Sequence, residues 1–169
     1  LHKSGVYAIR YPRGRGVMKT INQEFNQVPT GSAKILCEGD DLAFISIGPI
    51  GNSVTQAIEE LGKNDLSFTH VDLRFLKPLD EEVLHSVFSK HNKVITIEDG
   101  SVNGGMGSAV LEFMSDHGYK ADLSRIGIPD RFIDHGTIDE LYKECGMDVE
   151  SIIETAKTMI GSKVLYKAI

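Results

Sequence analysis

The sequence has 169 residues, which suits one domain of ordinary size, alone or with a short arm. Its 41% hydrophobic and 25% charged residues exclude a chain that is disordered throughout, and its net charge of -6 argues against binding to nucleic acid or to an anionic membrane. No apolar run approaches the roughly 18 residues of a membrane span, and no secretory-signal pattern is present, so we expect neither.

The first predicted element is the apolar, β-prone run VYAIRY at residues 6–11. It leads into a turn rich in Pro and Gly that carries Arg10, Arg13 and Arg15. Guanidinium groups suit phosphate oxygens, and they equally suit surface ion pairs in an acidic chain, so the residues alone leave both interpretations open. Because the chain begins at Leu1 rather than Met, we expect a processed chain or a piece of a longer protein, with this run as the last strand of a preceding domain.

Residues 17–31 are polar and aperiodic, which predicts a linker. Residues 33–39 predict a short edge strand, and the continuous apolar run 42–48 predicts a strand buried on both faces. Apolar residues at helical spacing predict a helix within residues 52–64, with Gly62 in the C′ position that follows a helix.

A strand is predicted over residues 67–75, followed by a helix for which Asp80 is the expected N-cap. Residues 93–99 predict the next strand. A glycine-rich loop at 100–108 then leads into a helix that ends near Gly118.

Residues 122–128 predict a further strand. Thr137 and Glu140 have the spacing of a capping box, which marks a helix start, and this helix is expected to stop at Gly146. Asp148 is the expected cap of the last helix. From residue 42 onward, strands and helices therefore alternate.

This alternation is typical of right-handed βαβ units. We therefore predict an α/β fold, with a mainly parallel sheet and helices on both faces, in one domain of residues 33–169.

The glycine-rich loop EDGSVNGGMGS places Gly104, Gly105, Gly107 and Ser108 before a helix. Such a loop can hold an anion at the helix N-terminus, but it matches neither a P-loop nor GxGxxG. A tight connection in which glycines permit close packing is favoured, and a subunit or domain contact ranks second.

Glu98 and Asp99 follow one another at the carboxyl end of a predicted parallel strand. Adjacent strand residues point to opposite faces, so they do not form an acid/base pair, and a helix-cap or interface role is favoured. For Asp72 and Arg74, near the end of another strand, we expect an internal salt bridge.

The histidines show no metal-binding spacing. We expect His85 and His117 to be solvated on helices, and His135 to belong to a structural loop. Cys37 and Cys145 are far apart, which predicts reduced, buried or half-buried structural thiols and a cytosolic protein, without a zinc site. These residues do not by themselves define an active site.

Five stretches of the sequence help to decide between phosphate binding and surface ion pairs for the arginine turn. They are RYPRG, LAFISIG, VDLRFLKPLD, VITIEDGSVNGGMGSAV and GIPDRFIDHGT. In this order and spacing they resemble the C-terminal end of the 1-deoxy-D-xylulose-5-phosphate synthases, thiamin-diphosphate enzymes of the transketolase superfamily. The β subunits of 2-oxoacid dehydrogenases share the domain type, but they lack YPRG and GIPDRFIxHGT in this form, so the resemblance to them ranks second.

The resemblance implies a cytoplasmic, homodimeric transferase that uses thiamin diphosphate and Mg²⁺. Such enzymes condense pyruvate with D-glyceraldehyde 3-phosphate, releasing CO2, in isoprenoid, thiamin and pyridoxal biosynthesis. It also implies three parts in this chain. Residues 1–18 are expected to be the terminal strand and turn of the pyrimidine-binding domain, 19–32 a linker, and 33–169 the C-terminal domain.

The resemblance assigns one site residue. Arg13 takes the place of the family's arginine that contacts the phosphate of the triose phosphate, whereas Arg10 is expected to be structural and Arg15 receives no role. The family often has Glu-Glu-Asn where this chain has Glu98, Asp99 and Gly100, which puts a role for loop 99–103 in doubt.

The family's diphosphate-binding GDG signature and catalytic glutamate have no counterpart in these residues. The segment alone is therefore expected to be inactive and to bind no cofactor, since the missing N-terminal and pyrimidine domains carry those sites. The sequence is also compatible with a free-standing binding module and with a subunit of a split transketolase-type enzyme.

Overall fold

A computed structural model describes residues 26–161, together with residues 6, 8 and 9. The arginine-rich turn, with Arg10, Arg13 and Arg15, lies outside the described residues. In chain order the elements are β1 (Lys34–Cys37), β2 (Leu42–Ile47), α1 (Gly51–Gly62), β3 (Phe68–Asp72), α2 (Glu81–Lys90), β4 (Lys93–Ser101), α3 (Met106–Asp116), β5 (Asp122–Ile128), α4 (Ile138–Glu144) and α5 (Val149–Ile160).

These strands form one five-stranded sheet in the order β1-β3-β2-β4-β5. Strands β2 to β5 are parallel to one another, and β1 pairs with β3 in the antiparallel direction at the edge of the sheet. The predicted fold class is confirmed, and so is the edge position of the first strand.

Both faces of the sheet are covered because the central strands are apolar at nearly every position. In β2, Leu42 and Phe44 face one hydrophobic cluster, to which α1 and α5 contribute, whereas Ala43 and Ile45 face a second cluster with α2 and α3. All four side chains have 0% exposure. Burial on two faces explains why this run lacks the alternation of a half-exposed strand.

The parallel strands all end at the same edge of the sheet, which we call the carboxyl edge. It is formed by residues 48–50, 73–75, 102–105 and 129–136. Strand β1 runs in the opposite direction, with Lys34 opposite Asp72, the last residue of β3. The chain that precedes β1 therefore arrives at the carboxyl edge.

Two of the three predicted helix N-caps form the expected hydrogen bonds. Asp80 accepts a hydrogen bond from the backbone N–H of Val83 (3.1 Å), and the capping box of Thr137 and Glu140 is present at the start of α4. Both caps are confirmed. Asp148 occupies the N-cap position of α5, but its carboxylate makes no backbone cap bond and instead accepts from the Ser151 hydroxyl group.

Strand β3 is shorter than predicted, because it ends at Asp72 rather than at residue 75. Leu73 still donates its backbone N–H to the Ser46 carbonyl oxygen (2.8 Å). Arg74 then adopts a positive φ of 54°, which an extended strand does not permit, so the chain turns away there.

The prediction that Gly62 follows α1 in the C′ position is wrong. Gly62 is the last helical residue, Lys63 keeps a helical φ and ψ, and the positive φ (57°) falls on Asp65. At the other end of the domain, β4 continues to Ser101 and pairs with β5 beyond an irregularity.

The prediction that His85 is solvated is also wrong. Helices α2 and α3 lie side by side, so the imidazole of His85 is half-buried between them. Its ring centroid lies 4.9 Å from that of Phe113 and 4.6 Å from that of His117, and its Nδ1 lies 2.9 Å from the Tyr119 hydroxyl oxygen. The His117 residue itself is exposed, as expected.

Two further histidines belong to the core. His70 is 1% exposed and its Nε2 lies 2.9 Å from Ser46 Oγ, while His91 is 4% exposed and its Nε2 lies 2.9 Å from Thr69 Oγ1. Burial lowers the pKa of His70 to about 4 and also lowers the pKa of His91. Both residues are therefore neutral in the native protein near pH 7.

Among the described residues, no helix is both long enough and apolar enough to span a bilayer.

The buried imidazole of His70 makes stability depend on pH. The unfolded chain protonates this residue near pH 6.5, whereas the native state does so only near pH 4, so the unfolded state binds more protons between those values. The free energy of unfolding should therefore fall as the pH drops from about 6.5 towards 4, by about 3 kcal/mol from this residue, and level off below.

Urea unfolding of the wild type and of His70→Gln, at pH 7 and at steps down to pH 4, measures this contribution. The variant should show a smaller fall in stability over that range, whatever its stability at pH 7. Replacement of the exposed His135 by Gln serves as the control and should keep the wild-type slope. Equal slopes for all three proteins would contradict the assignment.

Candidate functional site

The glycine-rich loop between β4 and α3 is the part of the described structure that most resembles an anion-binding site in sequence. Near the end of β4, the side chain of Glu98 is turned inward, and the residue is only 6% exposed. Its Oε2 accepts the backbone N–H of Met106 (2.7 Å) and its Oε1 accepts that of Gly107 (2.8 Å). We call this pair of hydrogen bonds the Glu98 cap.

The Glu98 cap satisfies two of the backbone N–H groups that every helix leaves unpaired at its N-terminus. The negative charge also complements the positive end of the helix dipole. The helix-cap role predicted for Glu98 is confirmed.

The glycines in this loop are required by close contacts. A Cβ at Gly105 would lie 2.2 Å from Glu98 Oε2 and 2.3 Å from the Ser101 carbonyl oxygen, and one at Gly107 would lie 2.6 Å from Thr96 Oγ1. A side chain at Gly105 would have to move the carboxylate or the backbone, and one at Gly107 would have to move the Thr96 hydroxyl group. The favoured interpretation, a tight connection that depends on close packing, is confirmed.

Arg125, on β5, fixes the same loop from the side of the sheet. Its Nη1 donates to the Val102 carbonyl oxygen (3.0 Å) and to Ser108 Oγ (2.8 Å), and that hydroxyl group also accepts the N–H of Gly104 (2.9 Å). No role was predicted for Arg125 from the sequence. The presence of an arginine within a predicted strand is the sequence feature that could have indicated a contact with the glycine-rich loop.

The side chain of Asp99 points to the opposite face of the strand from that of the buried Glu98, because successive strand residues alternate between faces. Its Oδ2 accepts a hydrogen bond from the Tyr142 hydroxyl group on α4 (3.1 Å). Burial, together with the Asp99 carboxylate, raises the pKa of Tyr142 to about 12. The two adjacent carboxylates therefore have separate structural partners and do not act as a pair.

Neither a diphosphate nor a divalent cation fits the glycine-rich loop. The two helix N–H groups that would hold an anion already bind Glu98, and its carboxylate would repel a phosphate. Within residues 26–161, no group of three or more His, Cys, Asp or Glu side chains is arranged to hold a metal ion.

The other predicted pairings lie elsewhere in the fold. The internal salt bridge expected for Asp72 and Arg74 is wrong, since neither forms an ion pair among the described residues. Asp72 Oδ1 instead accepts the backbone N–H of Arg74 (3.2 Å), because the turn at residue 74 brings that N–H back towards the carboxylate. His135 lies exposed on the loop after β5. Both cysteines are free. Cys145 is half-buried, as predicted, whereas the predicted burial is wrong for Cys37, because β1 is an edge strand and leaves that residue exposed. The remaining partial burial of each thiol raises its pKa.

A groove of about 460 Å³ lies between α1, α4 and α5. It is lined by both acidic and basic groups, among them Asp139, Lys143 and Glu150. None of these residues was predicted from the sequence, and their mixed charge does not favour one kind of ligand.

The Glu98 cap should contribute measurably to stability. Glu98→Gln replaces one acceptor oxygen by an NH₂ group that faces a backbone N–H, so we expect a loss of about 2 kcal/mol in the free energy of unfolding. Asp99→Asn, one residue away on the exposed side, is the matched control and should cost less than about 0.5 kcal/mol. Urea unfolding at pH 7 measures both, and equal losses would show that the cap is not a major contributor.

Comparison with known proteins finds curated relatives that share one name. Two curated relatives are named 1-deoxy-D-xylulose-5-phosphate synthase. The one from Parabacteroides distasonis is 54% identical over 153 residues, covering 90% of this chain and 24% of the relative. The one from Cytophaga hutchinsonii is 50% identical over 157 residues, covering 93% of this chain and 25% of the relative. The chain thus spans about a quarter of the length of these relatives.

The solved structures give the same fold assignment. The structure described as "Split gene transketolase, inactive beta4 tetramer" superimposes with a TM-score of 0.72 and 26% identity, covering 80% of this chain and 43% of that one. Residues 31–152 match the family described as "Transketolase, C-terminal domain", and the chain belongs to that family.

Proposed function

We propose that this chain is the C-terminal part of a 1-deoxy-D-xylulose-5-phosphate synthase. The observation that carries the proposal is the 54% identity, over 90% of this chain, to a protein of that name. The complete enzyme is a transferase that joins pyruvate to D-glyceraldehyde 3-phosphate with loss of CO2, and it supplies isoprenoid, thiamin and pyridoxal biosynthesis in the cytoplasm.

Thiamin diphosphate and Mg²⁺ are bound, in this proposal, by parts of the enzyme outside this segment. Bound thiamin diphosphate supplies the carbanion chemistry of such enzymes. The Glu98 cap supports this division, because it fills the helix N-terminus that most resembles an anion site. The isolated segment is therefore inactive, and its role is to support the domains that hold the cofactor.

The proposed division of the chain follows the resemblance. Residues 1–18 complete the pyrimidine-binding domain, 19–32 form the linker, and 33–169 form the C-terminal domain. The enzyme is a homodimer in this proposal. The tetramer named for the split-gene transketolase supports self-assembly, since a protein with this domain type there associates with copies of itself.

That same neighbour supports a second candidate, in which the segment belongs to a subunit of a split transketolase-type enzyme. The mass of the natural gene product distinguishes the complete synthase from a subunit of a split enzyme. A single chain about four times as long as this segment supports the synthase, as the 24% coverage of the relative implies. Two shorter gene products that must be mixed for activity support the split enzyme.

Arg13 is the proposed substrate-binding residue of this segment, and its guanidinium contacts the phosphate group of glyceraldehyde 3-phosphate. In the complete enzyme, Arg13→Ala should lower kcat/KM for that acceptor by about 1.5–3 kcal/mol, which is roughly ten- to hundredfold. Formation of 1-deoxy-D-xylulose 5-phosphate from pyruvate is the measured reaction. With unphosphorylated glyceraldehyde, the variant and the wild type should differ little.

Arg15→Ala, two residues further along the sequence, is the matched control and should retain the wild-type kcat/KM. Equal effects of the two substitutions would make the turn structural and remove the role of Arg13. No product from the wild-type enzyme would reject the proposed activity itself, and a 2-oxoacid dehydrogenase β-type subunit would then be tested next.

A further inference from the structure

Phe132 is the most exposed large apolar side chain of the loop that follows β5, at 103% relative exposure. It lies in the carboxyl edge, at residues 129–136, and Ile138 just beyond it is 51% exposed. Aromatic side chains are enriched where two protein surfaces meet.

The exposure of Phe132 does not come from an unattached loop. Its neighbour Arg131 donates its backbone N–H to the Pro129 carbonyl oxygen (2.8 Å), and its Nη1 lies 2.7 Å from Glu144 Oε1 on α4. The capping box at Thr137 holds the other end of the loop. The loop is thus tied down on both sides of an outward-pointing aromatic ring.

Arg74 lies on the same edge of the sheet, at the end of β3. Its backbone holds a positive φ of 54°, a conformation that is costly for a side chain of this size. The residue is half-buried, and in the ranges that the structure describes its guanidinium group has no carboxylate partner. A strained, half-buried arginine without an anion suits a partner that supplies one.

The direction of β1 indicates that the partner is the polypeptide that precedes this strand. Because Lys34 lies opposite Asp72, the polypeptide before β1 reaches the domain at the carboxyl edge. The relatives are about four times as long as this chain, which covers 24% of one of them. In a longer polypeptide, the chain that precedes β1 therefore enters this domain from the side that carries Phe132 and Arg74.

We propose that the carboxyl edge is the docking face for the domain that precedes residue 26, with Phe132 in an apolar pocket and Arg74 against a carboxylate of that domain. This docking face depends on the proposed function only in requiring the longer polypeptide. Arg74 follows β3 and Phe132 follows β5, and these two strands are three strand spacings, or about 14 Å, apart, which one domain-sized partner can span. Aromatic and arginine side chains are the residue types that dominate such contacts.

The backbone N–H groups of residues 132–136 report directly on this contact. In the described part of the chain none of them donates a hydrogen bond, so they should exchange with solvent quickly unless another surface covers them. We expect hydrogen–deuterium exchange of the complete polypeptide to show these amides protected by about tenfold or more. Phe132→Ser and Arg74→Gln should each remove most of that protection.

Leu111→Ser on α3 and the charge change Lys120→Gln are the matched controls, since both residues are exposed and lie away from the carboxyl edge. They should leave the exchange of residues 132–136 unchanged. Fast exchange of these amides in the wild type overturns the proposal, as does protection that neither Phe132→Ser nor Arg74→Gln reduces. Protection that disappears on dilution also overturns it, because a second copy of the chain is then the partner.

Synthase activity is measured separately on the same wild-type preparation. An active enzyme with unprotected loop amides rejects the docking face alone. Protected amides in a protein without synthase activity support the docking face and reject the proposed activity, so the two failures are distinguishable.

Discussion

The domain's most informative interaction is the Glu98 cap, in which one buried carboxylate accepts the N–H groups of Met106 and Gly107. Its geometry determines the rest of the loop. Gly105 has no room for a Cβ beside the carboxylate, and Gly107 must lie directly on Thr96. A helix N-terminus behind a run of glycines looks, in sequence, like a place for a bound phosphate. Here the protein supplies the anion from its own chain, so the loop is a rigid joint between sheet and helix.

Much of the fold was predictable because the hydrophobic patterns are strong. The run at residues 42–47 has no alternation, which indicates burial on two faces, and the capping box at Thr137 marks a helix start unambiguously. Predictions failed where a single backbone conformation decided the outcome. The left-handed turn at Arg74 shortened β3, and Asp65 rather than a glycine adopted the left-handed conformation after α1. Arginine rarely adopts that conformation and aspartate does so less readily than glycine, so neither turn was predictable from the residue types.

The candidate site was predictable in part. The cap by Glu98 followed from its place at a strand end before a helix, but Arg125 and Phe132 were missed. Arg125 acts on a loop that is distant in sequence, and only the pairing of β4 with β5 brings them together. Phe132 looks like a core residue by composition, and its exposure depends on how Arg131 and Glu144 hold the loop. The core histidines His70 and His91 were likewise recognisable only once the strands were assembled.

Strand β1 has a consequence for the behaviour of the protein at high concentration. It is the outermost strand, and Ile35 and Leu36 are 41% and 44% exposed, which is the kind of edge that recruits further strands and leads to aggregation. The strand is only four residues long, begins with Lys34, and has an irregular register between Ile35 and Cys37. Short length, a lysine and a bulge each hinder the addition of another strand. The edge can thus remain open to water without acting as a template for polymerisation.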